Sequence, residues 1–327
     1  MNYKKCAIFG TGTSANECFY YAKNNGYEVC FIVDDFLSGF YVDIPIVNWD
    51  IFLEKQNHVD VLFVSRYQHG RVIDRANVKI PILVPPSPNI SCFSYSENIK
   101  RIRKLKNVHL GKRCFILGNG PSLKLEDIEK IKSEITFASN KIFLIFEETD
   151  WRPNYYFVED VLVAKYNKNI INDLSLNKFF EIRTLDYLTV DNKTCVYQYQ
   201  GASNFPGFSY DVIRGVLGGY TVIASQLQFA YYMGFNEVYL LGLDFKYKIP
   251  TSEKSQGGIL VSNGEINHFH PNYRMKGEKW TYPQLDKQKM FFDFLAKNIV
   301  NSNFRVYNVT INSSLDSFDK LNLDDII

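Results

Sequence analysis

The apolar positions of this chain fall into short runs that alternate with segments of helical spacing, the pattern of an α/β sheet whose strands are buried on both faces. Cys6 to Phe9 (CAIF) predicts a first strand and Gly10-Thr11-Gly12 a turn. Ala15, Cys18, Phe19 and Ala22 then form the inner face of a helix that stops at Gly26. Glu28 to Val33 (EVCFIV) predicts a second strand ending on Asp34-Asp35, and Val61 to Ser65 (VLFVS) a third. Ile80 to Val84 (IPILV) precedes Pro85-Pro86-Ser87-Pro88, so a small first domain closes near residue 90.

Residues 91–110 predict a helical connector, with Ile99, Ile102, Leu105 and Val108 at helical spacing and a solvated basic face. From Arg113 the pattern begins again. Cys114 to Leu117 (CFIL) is a strand, Gly118-Asn119-Gly120-Pro121-Ser122-Leu123 turns into a helix from about Leu125, and Ile135 to Ala138 (ITFA) is a strand ending at Ser139-Asn140. Tyr155 to Val158 (YYFV) follows and ends on Glu159-Asp160, with further strands near 180–183 and 195–199. A strongly apolar helix over Thr221 to Met233 leads to the strand Glu237 to Leu241 (EVYLL), which exits through Gly242-Leu243-Asp244. A helix over about Gln284 to Asn301 and a strand at Arg305 to Asn308 complete the set. The expected fold is α/β with two Rossmann-like units, residues 1–90 and 111–327, the second a larger, mostly parallel sheet with helices on both faces.

In such sheets ligands bind beyond the carboxyl ends of the strands. Asn119, Asn140, Asp160 and Asp244 all stand there. The turn Gly118-Asn119-Gly120-Pro121-Ser122 can offer backbone N–H groups to a phosphate at the start of the next helix, or it can be ordinary turn and cap chemistry. In the first unit, Gly10, Gly12 and Asp34 match the opening of a dinucleotide-binding βαβ motif, although Ala15 stands where its third glycine belongs. A purely structural turn fits those glycines as well, and Asp34 and Asp35 fit as turn formers.

Composition narrows the classes. Thirty-seven Lys and Arg against 35 Asp and Glu leave a net charge of +2, which gives no broad basic field and argues against a nucleic-acid partner. The six cysteines form no CxxC pair, and no histidine completes a zinc quartet, so they read as reduced thiols. No apolar run approaches the roughly 20 residues of a membrane span. The start MNYKKCAIFG passes directly into a strand pattern. The expectation is a cytoplasmic protein with at most peripheral contact at the inner membrane face, and a homo-oligomer is left open.

The segments Gly118 to Leu123, Ser139-Asn140-Lys141-Ile142-Phe143, and Gly219-Tyr220-Thr221 leading into Met233 to Phe245 resemble two related groups over about residues 113–327. One is the bacterial sialyltransferases that use CMP-sialic acid. The other is the family resembling archaeal 6-hydroxymethylpterin diphosphokinases, which includes flagellin nonulosonate transferases. His268-Phe269-His270-Pro271-Asn272-Tyr273 and Val306 to Thr310 look closer to the second group. The first 90 residues resemble small Rossmann-like domains of surface-polysaccharide enzymes.

The sialyltransferase resemblance implies inverting transfer of a nonulosonic acid from a CMP-activated donor to a glycan or lipid-linked acceptor, with a histidine base and no obligatory cofactor. On that resemblance Gly118, Asn119, Gly120, Ser122, Asn140, Asp160, Thr221 and Asp244 surround the nucleotide and sugar. Tyr247 and Tyr273 are donors to the leaving group. The base is His268 or His270, with His270 nearer the following helix, and either imidazole could equally cap loop backbone. The glycine- and aromatic-rich stretch 201–220 reads as an acceptor-side loop or an ordinary connection. The pterin-kinase resemblance implies diphosphate transfer from ATP with Mg²⁺ on Asp160, Asp244 and Glu159. A non-catalytic nucleotide-binding module is the third reading.

Overall fold

A computed structural model of the chain describes residues 4–11, 13–41, 43–65, 68, 72, 75, 77–85, 95–199, 205–249 and 258–327. The chain divides into two compact units, residues 1–103 with 213–215, and residues 104–212 with 216–327. Gly12, the prolines after Pro85, residues 91–94 of the expected connector and residues 201–204 of the expected acceptor loop lie outside the described residues.

The first unit contains β1 (Lys4–Phe9), α1 (Thr13–Asn24), β2 (Tyr27–Val33), β3 (Gly39–Tyr41), β4 (Ile44–Val47), α2 (Trp49–Lys55), β5 (Val61–Val64) and β6 (Ile82–Leu83), and α3 (Tyr95–Lys104) runs to its edge. Its strands order as β3-β4-β2-β1-β5-β6, parallel except for β3 against β4. Alternation along β1 supplies both faces of this sheet. Cys6 and Ile8 cluster with Ala15, Cys18, Phe19 and Ala22 of α1. Ala7 and Phe9 cluster with Phe52 of α2 on the other side. The short β3, β4 and α2 are absent from the sequence expectation because Gly, Pro and Asp interrupt their apolar runs.

The second unit contains β7 (Arg113–Leu117), α4 (Leu125–Lys130), β8 (Thr136–Ser139), β9 (Tyr155–Val158), α5 (Val161–Asp173), β10 (Lys178–Glu181) and β11 (Thr194–Tyr197). It continues with α6 (Val222–Tyr232), β12 (Glu237–Leu241), β13 (Ile259–Val261), β14 (Lys279–Thr281), α7 (Leu285–Asn298), β15 (Arg305–Asn308) and β16 (Asp319–Lys320). Eight parallel strands order as β11-β10-β9-β8-β7-β12-β15-β16. The chain therefore builds outward from β7 in one direction and then returns to β7's other side with β12. This is a topological switch point, where a doubly wound sheet opens a crevice beyond its strand ends.

The strand expected at 180–183 lies at Lys178–Glu181, and a 3₁₀ turn over Ile182–Asp186 takes up the remainder. Glu181 sets that boundary by accepting a hydrogen bond from the Arg183 N–H at 3.1 Å. Helix α6 is buried on nearly every side, as an apolar helix without a polar stripe must be. Its Phe229 meets Phe157 and Phe179 edge-on, and these two rings stack at 4.5 Å. Between β12 and α7 the chain leaves the sheet, and β13 and β14 form a separate antiparallel hairpin. We call this excursion the insert. Among the described residues no helix is long and apolar enough to cross a membrane.

Candidate active site

The switch point between β7 and β12 dictates the first residues of the site. The Gly118 N–H donates to Leu241 O at 2.7 Å and the Gly120 N–H to Gly242 O at 2.9 Å, so the two strand exits run against each other. A β-carbon on Gly118 would stand 2.3 Å from Gly242 O, and one on Gly120 would stand 1.9 Å from Asp244 Oδ2. Both glycines are thus required by backbone packing. The Ser122 N–H and hydroxyl donate to Asp244 Oδ2 at 3.2 and 2.7 Å. The N–H groups of residues 118, 120 and 122 are therefore already occupied within the protein. These bonds are the turn and cap chemistry that the sequence left open beside a phosphate role.

Beyond these exits lies a cleft of about 560 Å³. Eleven of the sequence candidates line it: Gly118, Asn119, Gly120, Asn140, Glu159, Asp160, Thr221, Asp244, Tyr247, His268 and Tyr273. Ser122 stands behind the lining and holds Asp244.

The sheet side of the cleft carries the two asparagines. Asn119 Nδ2 donates to Ser139 O at 3.2 Å, while its Oδ1 is buried without a hydrogen-bond partner. Asn140 adopts a left-handed backbone at φ 53°, a conformation asparagine tolerates, and its Oδ1 is likewise buried and unpartnered. Thr221 caps the 11-residue helix α6, whose first turn also lines the cleft. The carboxylates are more fully engaged. Asp160 Oδ1 caps α5 through the N–H groups of Leu162 and Val163, at 2.7 and 3.3 Å. Its Oδ2 accepts from the Thr281 hydroxyl at 3.3 Å. Glu159 accepts from the Tyr197 and Tyr199 hydroxyls at 2.8 and 2.5 Å, and burial raises its pKa against those bonds and nearby Arg183.

The insert supplies the opposite wall. His268 is buried and stacks face to face on Tyr273, ring centroids 3.8 Å apart. Burial first, then the charges of Arg274 and Lys141, hold its imidazole well below the ordinary value, so it is neutral near pH 7. Lys141 fixes this segment from beneath by donating to Tyr273 O at 2.7 Å. Tyr247 lies over Trp280, and burial raises the phenols of both Tyr247 and Tyr273.

His270 does not line the cleft. Its Nδ1 accepts the Asn272 N–H at 3.1 Å and caps the short 3₁₀ turn Pro271–Tyr273, which is the capping role left open for it in the sequence. Of the two histidines the cleft contains His268, whereas the sequence reading favoured His270. The two histidines are only two residues apart, and the 3₁₀ turn that follows His270 engages its ring in the cap.

Sequence reasoning missed three cations of the lining, Arg183, Lys246 and Arg274, of which Lys246 donates to Asn312 O at 3.0 Å. Arg183 donates through Nε to Glu181 at 2.7 Å and lies 5.1 Å over the Tyr199 ring. Arg274 sits 3.7 Å over the Trp280 ring, and neither a hydrogen bond nor an ion pair engages its side chain among the described residues. The only local signals were the adjacency of Arg274 to Tyr273 and the rarity of tryptophan.

In the first unit a separate pocket of about 220 Å³ contains Gly10 and Asp34. Asp34 accepts from the Thr11 hydroxyl at 2.9 Å and from the Phe36 and Leu37 N–H groups at 2.9 and 3.1 Å. Burial opposes ionisation there, but these bonds outweigh it and lower the pKa. Asp35 pairs through both oxygens with Arg75. Both acids thus make turn and ion-pair contacts, the turn-former role that the sequence left open for them, while Asp34 also lines the pocket.

Fold and site together define a doubly wound α/β protein with a polar cleft at the switch point of its larger sheet. Residues 93–250 match the family model of 6-hydroxymethylpterin diphosphokinase MptE-like proteins, so the resemblance seen in the sequence is present over that span. The chain is similar to the MAf glycosyltransferase from Magnetospirillum magneticum AMB-1, at 13% identity and a TM-score of 0.43, over 99% of this chain and 58% of that one. The chain thus spans well under two thirds of that protein's length. No curated protein matches the chain.

Proposed function

We propose that the protein is a glycosyltransferase that moves a sugar from a nucleotide-activated donor, a CMP-nonulosonate, to a surface-glycan acceptor. The observation that carries this reading is the pairing, across one cleft, of two unpartnered asparagine oxygens on the sheet side with a neutral imidazole on the insert side. Asn119 Oδ1 and Asn140 Oδ1 need donors, and ribose hydroxyls or an exocyclic amine supply them. His268 is uncharged where it must take a proton. In the proposed step the acceptor hydroxyl loses its proton to His268 while its oxygen bonds to the anomeric carbon. The bond from that carbon to the nucleotide phosphate breaks, and CMP leaves with the electron pair.

The family match favours a second reading, ATP-dependent diphosphate transfer, which calls for Mg²⁺ on carboxylates. The donor set does not fit it. Glu159 is committed to two phenols, Asp160 to a helix cap and Thr281, and one oxygen of Asp244 to Ser122. No group of three His, Cys, Asp or Glu residues is placed to hold a metal among the described residues.

Thermal unfolding with CMP, CDP, UDP, GDP and ATP, each with Mg²⁺ or EDTA, separates the readings, because a ligand bound to the native state raises its stability by about 2.7 kcal/mol at one hundred times Kd. Stabilisation by CMP that survives EDTA, followed by CMP release from CMP-N-acetylneuraminate, is the expected result. Stabilisation by ATP with Mg²⁺ alone would replace it with the diphosphokinase reading.

A further inference from the structure

Four buried side-chain N and O atoms without a hydrogen-bond partner among the described residues belong to residues lining this one cleft. They are sorted by chemistry. The two on the sheet side, Asn119 Oδ1 and Asn140 Oδ1, are acceptors, and the two on the insert side, Arg274 Nη1 and Trp280 Nε1, are donors. The insert pair is one structure, because the Arg274 guanidinium lies 3.7 Å over the Trp280 ring. Arg274 differs in this from Arg183, the other guanidinium of the cleft, which Glu181 already neutralises. A half-buried guanidinium whose Nη1 is buried and an indole N–H, left together without acceptors, are groups that native structures otherwise satisfy.

We propose that Arg274 and Trp280 form the receptor for an anionic oxygen group of the substrate, a phosphate or a carboxylate. The proposal deepens the glycosyltransferase reading and rests on it for the choice of ligands. A CMP-nonulosonate carries both kinds of anion, the phosphate of its ester and the carboxylate of its sugar. Planar guanidinium donors match either group with two parallel hydrogen bonds. The ring beneath holds the guanidinium flat and shields one face from water.

The test uses the full chain labelled with ¹⁵N-tryptophan, with the Trp280 indole resonance assigned by Trp280→Phe. The chain is titrated with inorganic phosphate, CMP, N-acetylneuraminate and cytidine. The expected result is a saturable shift of the Trp280 N–H with at least one anion, weakened about 10- to 100-fold in Arg274→Gln. A response to phosphate and CMP assigns the site to the phosphate, and a response to N-acetylneuraminate alone assigns it to the sugar carboxylate. Should Arg274→Gln fail to fold, Arg274→Lys makes the same comparison, since it keeps the charge and removes the planar fork. A Trp280 signal that no anion moves, or an arginine variant that titrates like wild type, would overturn the proposal. Cytidine distinguishes the two layers of the argument. If cytidine is silent and CMP binds no tighter than inorganic phosphate, the nucleotide reading fails while the anion receptor stands.

Discussion

Replacing Glu181 with glutamine tests the electrostatics that support one wall of the cleft. Glu181 is 2% exposed and holds Arg183 through Nε at 2.7 Å. Burial pushes its pKa up from 4.5 to about 7, against the charge and hydrogen bonds of Arg183. The folded chain therefore holds a proton that the unfolded chain has already released between those two values. Unfolding free energy falls as pH rises through that window, because the native state binds more protons than the unfolded state. At about 1.4 kcal/mol per pH step, the carboxylate destabilises the fold by roughly 3 kcal/mol above pH 7 relative to pH 4.5 and below.

In Glu181→Gln this dependence is absent. The stability difference between variant and wild type should move by about 3 kcal/mol in the variant's favour from pH 4.5 to pH 8. Loss of the Arg183 partner adds an offset that pH does not change. The assay is urea unfolding followed by tryptophan fluorescence in a Trp49→Phe background, where Trp151 and Trp280 of the second unit carry the signal. Profiles for the two proteins that stay parallel from pH 4.5 to 8 would refute the reasoning.

Gly118→Ala should destabilise the second unit by about 3 kcal/mol, since its new β-carbon meets backbone atoms that no rotamer can move aside, and the same urea assay reads it. Gly264→Ala, which meets open space at φ +94°, should lose only about 1–2 kcal/mol. Under the proposed function, His268→Gln should lower kcat for sugar transfer by about 10² to 10⁴ with donor affinity unchanged, whereas His270→Gln should turn over like wild type. Because His268 titrates well below 6.5, the acid limb of the wild-type kcat profile should fall below that pH. Asn140→Gly, which keeps the left-handed backbone at φ 53°, should weaken CMP binding by about tenfold in calorimetry without a comparable loss in melting temperature.

The strand-exit residues were legible in the sequence because each follows an apolar run that fixes its own strand, and the exit of a parallel strand is where crevices form. The same local logic could not show why Gly118 and Gly120 are glycines. Their constraint comes from Gly242 and Asp244, more than a hundred residues away, which press against them only after β7 and β12 pair. Which of His268 and His270 lines the cleft was hidden for a related reason. Each is polar and flanked by aromatics, and only the 3₁₀ turn at Pro271 sends one ring to Asn272 N–H and leaves the other stacked on Tyr273. Arg274 and Trp280 sit in an insert without helical or strand periodicity, so nothing in their spacing marks them as a pair.

The cleft joins two stretches of chain with different chemistry, and the family match divides them. Residues 93–250 include the sheet side, with its asparagine acceptors, helix-capping residues and Asp244, but end before His268, Tyr273, Arg274 and Trp280. The matched span of this chain therefore holds its sheet-side crevice. The imidazole, guanidinium and indole come from the insert beyond it. Under the proposed function, substitutions at Asn119 and Asn140 should alter nucleoside discrimination with little effect on the pH profile of transfer. Substitutions at His268 and Arg274 should instead change that profile and the dependence on anionic groups, while the ranking of nucleosides stays as it was. Identical effects from both sets would mean that the two walls do not divide the labour.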